Sequence, residues 1–334
     1  MATFAQILPM ALNISHALGL IEDYHKKNNS DRNPRPLYAP RDYIMSMGGK
    51  RMRSLFCLMG YALYDDRIEK GLPLAYTIEL FHNFTLVHDD IMDEAELRRG
   101  KPSVHVKFDT NAAILTGDVM LIEVYERLIN LDTDKVSDIL KTFTQTAREV
   151  CEGQAMDMDF EERSDVSITE YLKMIELKTA VLLGAALSLG ALMGGATKKD
   201  HDHLYKFAVN AGIAFQLQDD YLDVYGDPSK FGKKVGGDII QGKKTYLYLR
   251  ALELMTEKDR AAFAEFYSSV SGDQADKVKR VTNVFNELYL PHYCTEAKEA
   301  FFDLANSHLE MVSADETEKE ELRSFARKLM DRQS

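Results

Sequence analysis

Two short acidic segments carry side chains whose type and spacing suit metal-assisted chemistry. The first, DDIMD, runs from Asp89 to Asp93, and the second, DDYLD, runs from Asp219 to Asp223. Positions four apart lie about 40° apart around a helix, so the outer aspartates of each segment project from one face. Carboxylates this close repel each other unless a cation lies among them. Mg²⁺ fits this pattern because it prefers oxygen ligands and commonly bridges to substrate phosphates.

Basic residues lie close to both acidic segments. Arg98 and Arg99 follow the first within ten residues, and paired arginines suit bidentate recognition of phosphate. A glycine- and lysine-rich stretch from Tyr225 to Thr245 follows the second, a composition suited to holding and covering a diphosphate. One DDxxD segment is equally compatible with an acidic surface turn, but two copies make chance the poorer explanation.

Composition limits the classes of partner and compartment. The chain has 334 residues with 41 Lys and Arg against 53 Asp and Glu, a net charge of −12, which argues against nucleic acid as a partner. Three widely spaced cysteines indicate neither a disulfide framework nor a zinc site. The N-terminus lacks the features of a signal peptide, and the most apolar run, Thr179 to Met193, is shorter than a membrane span. We therefore expect a cytoplasmic protein without an integral membrane segment.

The elements that must position these residues are helices. Long stretches with helical spacing and no strand-like alternation predict an all-α fold, a single domain over residues 1–334 with ten or more helices around a central cavity. Helices are predicted over residues 3–27, 41–47, 55–64, 74–87, 111–130, 137–160 and 171–194. Two acidic segments that each end an apolar helix are expected to face one another across the cavity. Asp118 is expected to be a buried carboxylate.

The order and spacing of six segments resembles the trans-isoprenyl diphosphate synthases, the family of farnesyl and geranylgeranyl diphosphate synthases. The segments are GGKRMR, DDIMDEAELRRGKPSVH, GQAMD, LKTA, FQLQDDYLD and GKKVGGDIIQGKKT, which together span Gly48 to about Thr245. The resemblance implies an isoprenoid-synthase-type fold and a homodimer. It also implies a 1′-4 condensation of isopentenyl diphosphate with an allylic diphosphate, namely dimethylallyl, geranyl or farnesyl diphosphate, with three Mg²⁺ in each active site.

The resemblance also assigns roles to individual residues. It implies that Asp89, Asp93 and Asp219 hold the three Mg²⁺, with Asp90 and Asp223 in support. The residues that it places on the allylic diphosphate are Arg98, Lys178, Lys233 and Lys243. Those that it places around isopentenyl diphosphate are Gly49, Lys50, Arg53, His82 and Arg99. Thr179 and Gln216 are expected to stabilise the allylic cation.

Three residues before the first acidic segment are expected to limit product length. Thr85, four positions before Asp89, lies nearly under it on an ideal helix, and Phe81 lies two turns away. Phe84, five positions before, is about 140° off by geometry, but the family uses this position in short-chain enzymes. A single aromatic residue there resembles a geranylgeranyl-forming pattern, so the sequence favours a C20 product over a C15 product.

Other readings of the same residues remain. A class I terpene cyclase shares the helical fold and the first DDxxD segment, although DDYLD does not match the usual second metal motif of cyclases. The dipeptide His88-Asp89 suggests a metal phosphohydrolase, but further histidine ligands at suitable positions are missing. A non-catalytic partner subunit of the same fold is the alternative that is not an enzyme.

Overall fold

Helices form nearly all of the regular structure that the computed structural model describes, which covers residues 12–28, 32–227, 235–269 and 273–330. The strands within these residues are β1 (Leu97–Arg98) and β2 (Lys101–Pro102), a short antiparallel pair in which Leu97 lies opposite Pro102. The predicted all-α fold with ten or more helices is confirmed.

The helices follow one another with short connections. Those up to Gly194 are α1 (Ile14–Lys27), α2 (Arg35–Ser46), α3 (Met52–Ala62), α4 (Leu72–Met92), α5 (Val104–Lys107), α6 (Thr110–Ile129), α7 (Val136–Glu162), α8 (Ile168–Ile175) and α9 (Val181–Gly194). A 3₁₀ turn (Ile68–Gly71) precedes α4, and a π-helical turn (Glu176–Ala180) joins α8 to α9. The remaining helices are α10 (Lys198–Tyr225), α11 (Gly237–Gln241), α12 (Tyr246–Leu254), α13 (Glu257–Ser268), α14 (Gln274–Glu287), α15 (Leu290–Glu310) and α16 (Glu316–Met330).

Several boundaries differ from the predictions. Helix α2 begins at Arg35 rather than at residue 41, because Pro34 precedes it and Pro36 lies in its first turn, where a missing N–H costs nothing. Helix α4 continues through Met92, so the first acidic segment belongs to the helix itself. The helix predicted from residue 3 is described only from Ile14 onward, and residues 3–11 lie outside the described part. The prediction that Asp118 is buried is wrong, since this residue on α6 is exposed.

The chain groups into two compact units. In the described part, the first unit consists of residues up to Thr144 together with Ala185–Leu204 and Ser313–Lys319, and therefore carries the first acidic segment. The second consists of Gln145–Gly184, Tyr205–Val312 and residues from Glu320 onward, and carries the second segment. That residues 1–334 form a single domain stays a prediction.

Glycines allow α3 and α9 to pack with their backbones in contact in the first unit. A Cβ atom on Gly190 would lie 2.8 Å from the carbonyl carbon of Cys57, and one on Gly60 would overlap the carbonyl oxygen of Leu187. No side chain fits at either place, so both positions require glycine for the helices to approach this closely. Gly190 therefore serves close helix packing in this unit.

The C-terminal helices support the second acidic segment within the second unit. The Cys294 Sγ on α15 donates to the Leu217 carbonyl at 3.5 Å, and the Lys298 Nζ donates to the Gln218 Oε1 at 2.7 Å. The backbone N–H of Tyr246, the first residue of α12, donates to Asp220 at 3.4 Å. The last ninety residues, in which the sequence shows no chemistry, thus fix the position of α10.

One described helical stretch, Ile168–Gly194, is long and apolar enough to cross a membrane by length and composition alone. However, 78% of its most apolar window is buried inside the protein, as in the core helix of a globular unit. This stretch includes the most apolar run of the sequence, Thr179 to Met193.

A buried histidine lies among arginines in the first unit. The His25 ring packs on the Tyr76 ring with 4.7 Å between centroids, and within the part of the chain that the structure describes neither ring nitrogen has a hydrogen-bond partner. The Tyr76 hydroxyl accepts from Arg41 at 2.8 Å, and the Arg127 guanidinium lies 4.5 Å from the Tyr76 ring centroid. Burial, followed by the charges of Arg51, Arg41 and Arg127, lowers the pKa of His25 to about 3.

His25 is therefore expected to make the fold sensitive to acid. Below the usual histidine pKa of about 6.5, the unfolded chain binds a proton that the folded chain does not, so stability falls as the pH falls toward 3. We expect His25→Phe, which keeps the ring contact with Tyr76, to be more stable than wild type at pH 4.5 by about 2 kcal/mol and similar at pH 7. Urea unfolding at both pH values measures this, with His16→Phe on the exposed side of α1 as the control that keeps the wild-type pH dependence. Equal pH dependence in His25→Phe and wild type would contradict the assignment.

Candidate active site

The first acidic segment divides into a buried aspartate and two outer ones. Asp90 is fully buried, and its carboxylate accepts two hydrogen bonds from the Arg98 Nε at 3.0 and 3.2 Å and a further one from Arg98 Nη2. Asp89 is half-buried, and Asp93 is exposed at the end of α4. Asp90 thus orients Arg98, while the outer pair is accessible for a ligand.

The second acidic segment repeats this division. Asp220 is buried, and its carboxylate accepts from the Tyr171 hydroxyl and from the Gln216 Nε2 at 3.2 Å. Burial, followed by the charge of Asp238, raises the pKa of Asp220 to about 7. The outer aspartates, Asp219 and Asp223, are half-buried. The structure therefore places the Gln216 amide on a carboxylate, a contact that the sequence does not reveal.

A further aspartate joins the second segment. The backbone N–H of Asp238, near the start of α11, donates to the Asp223 Oδ2 at 3.0 Å. Its carboxylate raises the pKa of the Asp220 carboxyl, as the second cause after burial. Sequence reasoning missed Asp238, although its place in the GKKVGGDIIQGKKT segment is a signal that could have identified it.

The outer aspartates have the donor chemistry that Mg²⁺ requires. Among the described residues, no group of three or more His, Cys, Asp or Glu side chains is arranged to hold a cation by itself. Mg²⁺ is usually bound through one or two carboxylates, with waters and substrate phosphates completing the octahedron. Two accessible carboxylates in each segment match a metal that binds together with a diphosphate. The residues that suit Mg²⁺ in this way are Asp89, Asp93, Asp219 and Asp223.

Cationic side chains gather beside the first segment, and we call Arg51, Arg53, Arg98 and Arg99 the arginine cluster. The Arg53 Nη1 lies 3.1 Å from the His82 Nε2, and since arginine only donates, this nitrogen accepts. Burial, followed by the charges of the whole arginine cluster, lowers the pKa of His82 well below its usual value. His82 is therefore neutral, and the positive charge of the site belongs to the arginines.

The arginine cluster has more positive charge than its buried carboxylates balance. Glu79, which is buried, accepts from Arg51 at 3.2 Å, and the charge of Asp90 is taken by Arg98. Among the described residues, the buried Arg53 Nε has no hydrogen-bond partner. Burial is the largest cause that lowers the pKa of both Arg53 and Arg99; the charge of Glu79 opposes it in part, and the charges of neighbouring arginines add to it. Such an arrangement is stabilised by an anion with several oxygens, of which a diphosphate is one.

Gly49 admits Arg99 into this site. Its φ of +141° is a backbone conformation that other residues rarely adopt, and a Cβ atom there would lie 3.0 Å from the Arg99 Cζ. The Arg99 Nη1 donates to the Gly48 carbonyl. The sequence predicts that Gly49 allows close approach of an anion, whereas the structure shows that it allows close approach of an arginine. Lys50, also predicted to bind substrate, is exposed.

Lys178 and Thr179 lie on the π-helical turn between α8 and α9. The Lys178 Nζ forms an ion pair with Asp157 on α7, and Thr179 is half-buried. A Cβ atom on Gly153, one turn before Asp157, would lie 2.7 Å from both the Leu177 carbonyl carbon and the Lys178 Cα. The close approach of α7 to the π-helical turn thus depends on Gly153. Turns of this kind are frequent at functional sites.

Gly153→Ala is expected to lower kcat by about tenfold or more, because the added methyl group displaces the backbone that carries Lys178 and Thr179. Steady-state kinetics with isopentenyl and farnesyl diphosphates measures this effect. Gly19→Ala is the matched control, since a Cβ atom on this helical glycine meets nothing within 4 Å. Wild-type kcat in Gly153→Ala would show that the π-helical turn does not position reacting groups.

The lysines after the second segment have separate surroundings. Lys243 is exposed, and its backbone carbonyl accepts from the Tyr267 hydroxyl at 2.8 Å. The Lys244 Nζ donates to the carbonyls of Phe160 and Glu161, the latter at 3.0 Å, and so caps the end of α7. Lys244 therefore has a structural role. The sequence alone does not show that Lys244 and Lys243 differ in role. Lys233 lies outside the described residues.

Two of the three residues expected to limit product length, Phe81 and Phe84, pack together on α4. Phe84 is buried, with its ring centroid 5.4 Å from that of Phe81. Phe81 in turn meets Phe143 on α7 edge-on, with 5.0 Å between centroids. The Thr85 hydroxyl donates to the His82 carbonyl at 2.8 Å, so this half-buried side chain is satisfied within its own helix. The two phenylalanines thus form one aromatic group, while Thr85 stands apart from it.

Comparison with known proteins identifies the family. Residues 34–285 match the polyprenyl synthetase family. The chain is 42% identical over 230 residues to a short chain isoprenyl diphosphate synthase of Methanocaldococcus jannaschii, covering 69% of this chain and 70% of the relative. It is 34% identical over 285 residues to a geranylgeranyl pyrophosphate synthase of Geoglobus acetivorans, covering 84% of this chain and 86% of the relative.

Solved structures show the same fold. A crystal structure of a geranylgeranyl pyrophosphate synthase superposes with a TM-score of 0.91 at 41% identity, covering 97% of this chain and all of the other. The geranylgeranyl pyrophosphate synthetase of Pyrococcus horikoshii superposes with a TM-score of 0.88 at 32% identity, covering 96% of this chain and 97% of the other. The resemblance carried by the six sequence segments is confirmed. This chain belongs to the polyprenyl synthetase family, as a member of its trans-isoprenyl diphosphate synthases.

Proposed function

We propose that this isoprenyl diphosphate synthase condenses isopentenyl diphosphate with dimethylallyl, geranyl and farnesyl diphosphates, and that geranylgeranyl diphosphate is its principal product. The observation that carries the proposal is the excess positive charge of the arginine cluster next to the outer aspartates Asp89 and Asp93. An anion site beside a metal-binding carboxylate pair is what two diphosphate substrates require. Several relatives are named geranylgeranyl diphosphate synthases, which agrees with the C20 product favoured by the sequence.

The residues of the chain have distinct tasks in this reaction. Arg53 and Arg99 bind isopentenyl diphosphate, with neutral His82 holding Arg53 in place. Arg98, oriented by Asp90, contacts the allylic diphosphate, whose C–O bond breaks. For Lys178, held by Asp157, the family resemblance implies a task on the same diphosphate. Bound Mg²⁺, of which we infer three per active site, supplies positive charge against the leaving diphosphate.

The carbon–carbon bond forms when the double bond of isopentenyl diphosphate attacks the allylic cation. Arg53 and Arg99 fix the attacking group by its diphosphate, which gives the two reactants a defined orientation. Thr179 is well suited to stabilise the cation, because its hydroxyl lies on the same π-helical turn as Lys178. The proton then lost from the new chain passes to the departed diphosphate, so the site needs no side-chain base.

An assay with Mg²⁺, isopentenyl diphosphate and C5, C10 or C15 allylic diphosphates tests the proposal. We expect release of diphosphate and a prenyl diphosphate product whose length is measured by mass spectrometry. A cyclised hydrocarbon would instead indicate a terpene cyclase, and a monophosphate would indicate a phosphohydrolase. Absence of turnover would indicate a non-catalytic subunit.

Phe84→Ala and Phe81→Ala are each expected to lengthen the product by one or more isoprene units. Removal of either ring opens a space where the aromatic group now packs, and a longer prenyl chain can occupy this apolar space. Product length from farnesyl and isopentenyl diphosphates is the measurement. Phe302→Ala, which removes a buried ring from α15 in the second unit, serves as the control that keeps the wild-type length. An unchanged length in both Phe84→Ala and Phe81→Ala would refute this limit on the product.

We further propose that the protein is a homodimer that pairs through α6. Leu115, Ile122 and Ile129 lie seven residues apart along this helix and are 57%, 66% and 57% exposed. Apolar side chains at this spacing form a stripe along one face of a helix, the usual surface for pairing with a second copy. Sequence reasoning implied a dimer from the family but did not identify this face.

A cytoplasmic location is proposed from the cysteines. Cys57 and Cys294 are buried free thiols. Free thiols of this kind are typical of proteins in a reducing compartment.

A further inference from the structure

His88 lies between the aromatic group and α6. It follows Phe84 by one turn of α4, and its ring meets the Phe84 ring edge-on with 5.0 Å between centroids. Its Nε2 lies 3.2 Å from the Ile114 carbonyl oxygen on α6. A carbonyl only accepts, so Nε2 carries the proton and donates. His88 is thereby held at both ends, by a hydrogen bond to α6 and by ring contact with Phe84.

Gly117 provides the space for this histidine. A Cβ atom on Gly117 would lie 2.8 Å from the His88 Cε1 and closer still to Cδ2 and Nε2. The imidazole therefore occupies the position that a side chain at residue 117 would need. All three of these atoms belong to the His88 side chain, so a methyl group at residue 117 requires the imidazole to move.

The contacts of the Phe84 ring indicate that His88 helps to hold this ring in position. Phe84 packs on Phe81 along one side, and Phe81 is itself fixed by Phe143. His88 makes the second ring contact of Phe84, edge-on. Without the imidazole, an adjacent space opens into which the Phe84 ring can rotate, and a ring that rotates aside no longer blocks a growing chain.

We propose that His88 is a positioning residue for product length, which holds Phe84 in its blocking orientation from its place against Gly117 and Ile114. The inference rests on the proposed function, because it assigns to His88 the support of the residue that limits the prenyl product. It concerns specificity and not the chemical step, so its effect is on the length of the product.

The test compares His88→Ala, His88→Phe and Gly117→Ala with Phe84→Ala and wild type. We expect the ratio of longer product to wild-type product to rise about tenfold in His88→Ala, the lower end of what an apolar pocket discriminates. His88→Phe, which restores a ring against Phe84, should return the ratio to near wild type. Gly117→Ala should raise this ratio as much as His88→Ala does, since its methyl group displaces the imidazole. The double variant that combines Gly117→Ala with His88→Ala should show no further rise in the ratio.

The control for Gly117→Ala is Gly19→Ala, whose added methyl group meets nothing within 4 Å and should leave product length unchanged. An inactive wild-type protein would refute the proposed function itself. A wild type that makes prenyl diphosphates, together with His88→Ala of unchanged product length, would overturn the role of His88 even if its turnover falls. If Gly117→Ala does not fold, the pair His88→Ala and His88→Phe decides the matter. An unchanged product length in Phe84→Ala would also overturn the inference, since His88 would then support nothing that limits the chain.

Discussion

Asp89→Asn and Asp219→Asn will each lower kcat by about 10³-fold and lower the melting temperature less than Asp90→Asn does, because both carboxylates are only half-buried and offer the negative charge that a bound Mg²⁺ needs. Both are only half-buried, whereas the middle aspartates Asp90 and Asp220 are buried and bonded to side chains of the protein. A neutral amide in place of an outer carboxylate also reduces repulsion within each segment. Steady-state kinetics and thermal unfolding of the same preparations measure the two effects.

Asp90→Asn is the contrasting variant. It removes the charge that Arg98 contacts through three hydrogen bonds, so we expect a loss of about 2 kcal/mol in unfolding free energy together with a loss of activity. Asp303→Asn, at an exposed position on α15, is the control that should change neither quantity. If Asp89→Asn destabilises the protein as much as Asp90→Asn does, the division into outer ligands and buried supports is wrong.

The helical fold could be predicted because it depends on local patterns. Apolar periodicity placed α4 and α6 within a few residues of their observed ends. The exception at α2 has a local cause too, since three prolines suggest a turn although Pro34 and Pro36 are compatible with a helix start. The exposure of Asp118 could not be predicted from local patterns, because it depends on which face of α6 packs against other parts of the protein.

The sequence predicts which residues belong to the site, but it does not predict what each of them does there. The sequence GGKRMR offers three neighbouring cations without showing which one binds substrate and which one holds the fold. The distinction depends on Glu22 and Glu79, which come from α1 and α4 and take Arg51 as their partner. The same holds for the second acidic segment, where the buried Asp220 accepts from Tyr171, 49 residues away in the sequence. Contacts between distant parts of the chain leave no local pattern.

Arg53→Met and Arg51→Met are expected to have opposite effects on stability and binding, although the two arginines are two residues apart. Burial lowers the pKa of Arg53, and although the charge of Glu79 raises it and that of Arg99 lowers it, the net effect of the environment is against the charged form, so replacing Arg53 should not lower the melting temperature of the ligand-free protein. The same replacement removes charged hydrogen bonds to isopentenyl diphosphate and should raise the KM for it by about 10- to 100-fold. Sites that bind anions through crowded cations commonly sacrifice stability for function in this way.

Arg51→Met should unfold more easily by about 3–5 kcal/mol, because it leaves the buried Glu79 carboxylate without the cation that balances it. Inorganic diphosphate separates the two arginines further, since a ligand that binds the folded state raises the melting temperature. We expect diphosphate to raise the melting temperatures of wild type and Arg51→Met by similar amounts and that of Arg53→Met by less. The two roles would be reversed if Arg53→Met lost stability and kept its response to diphosphate. The excess of positive charge around Arg53 would then be part of the fold, and the diphosphate of isopentenyl diphosphate would have to bind elsewhere.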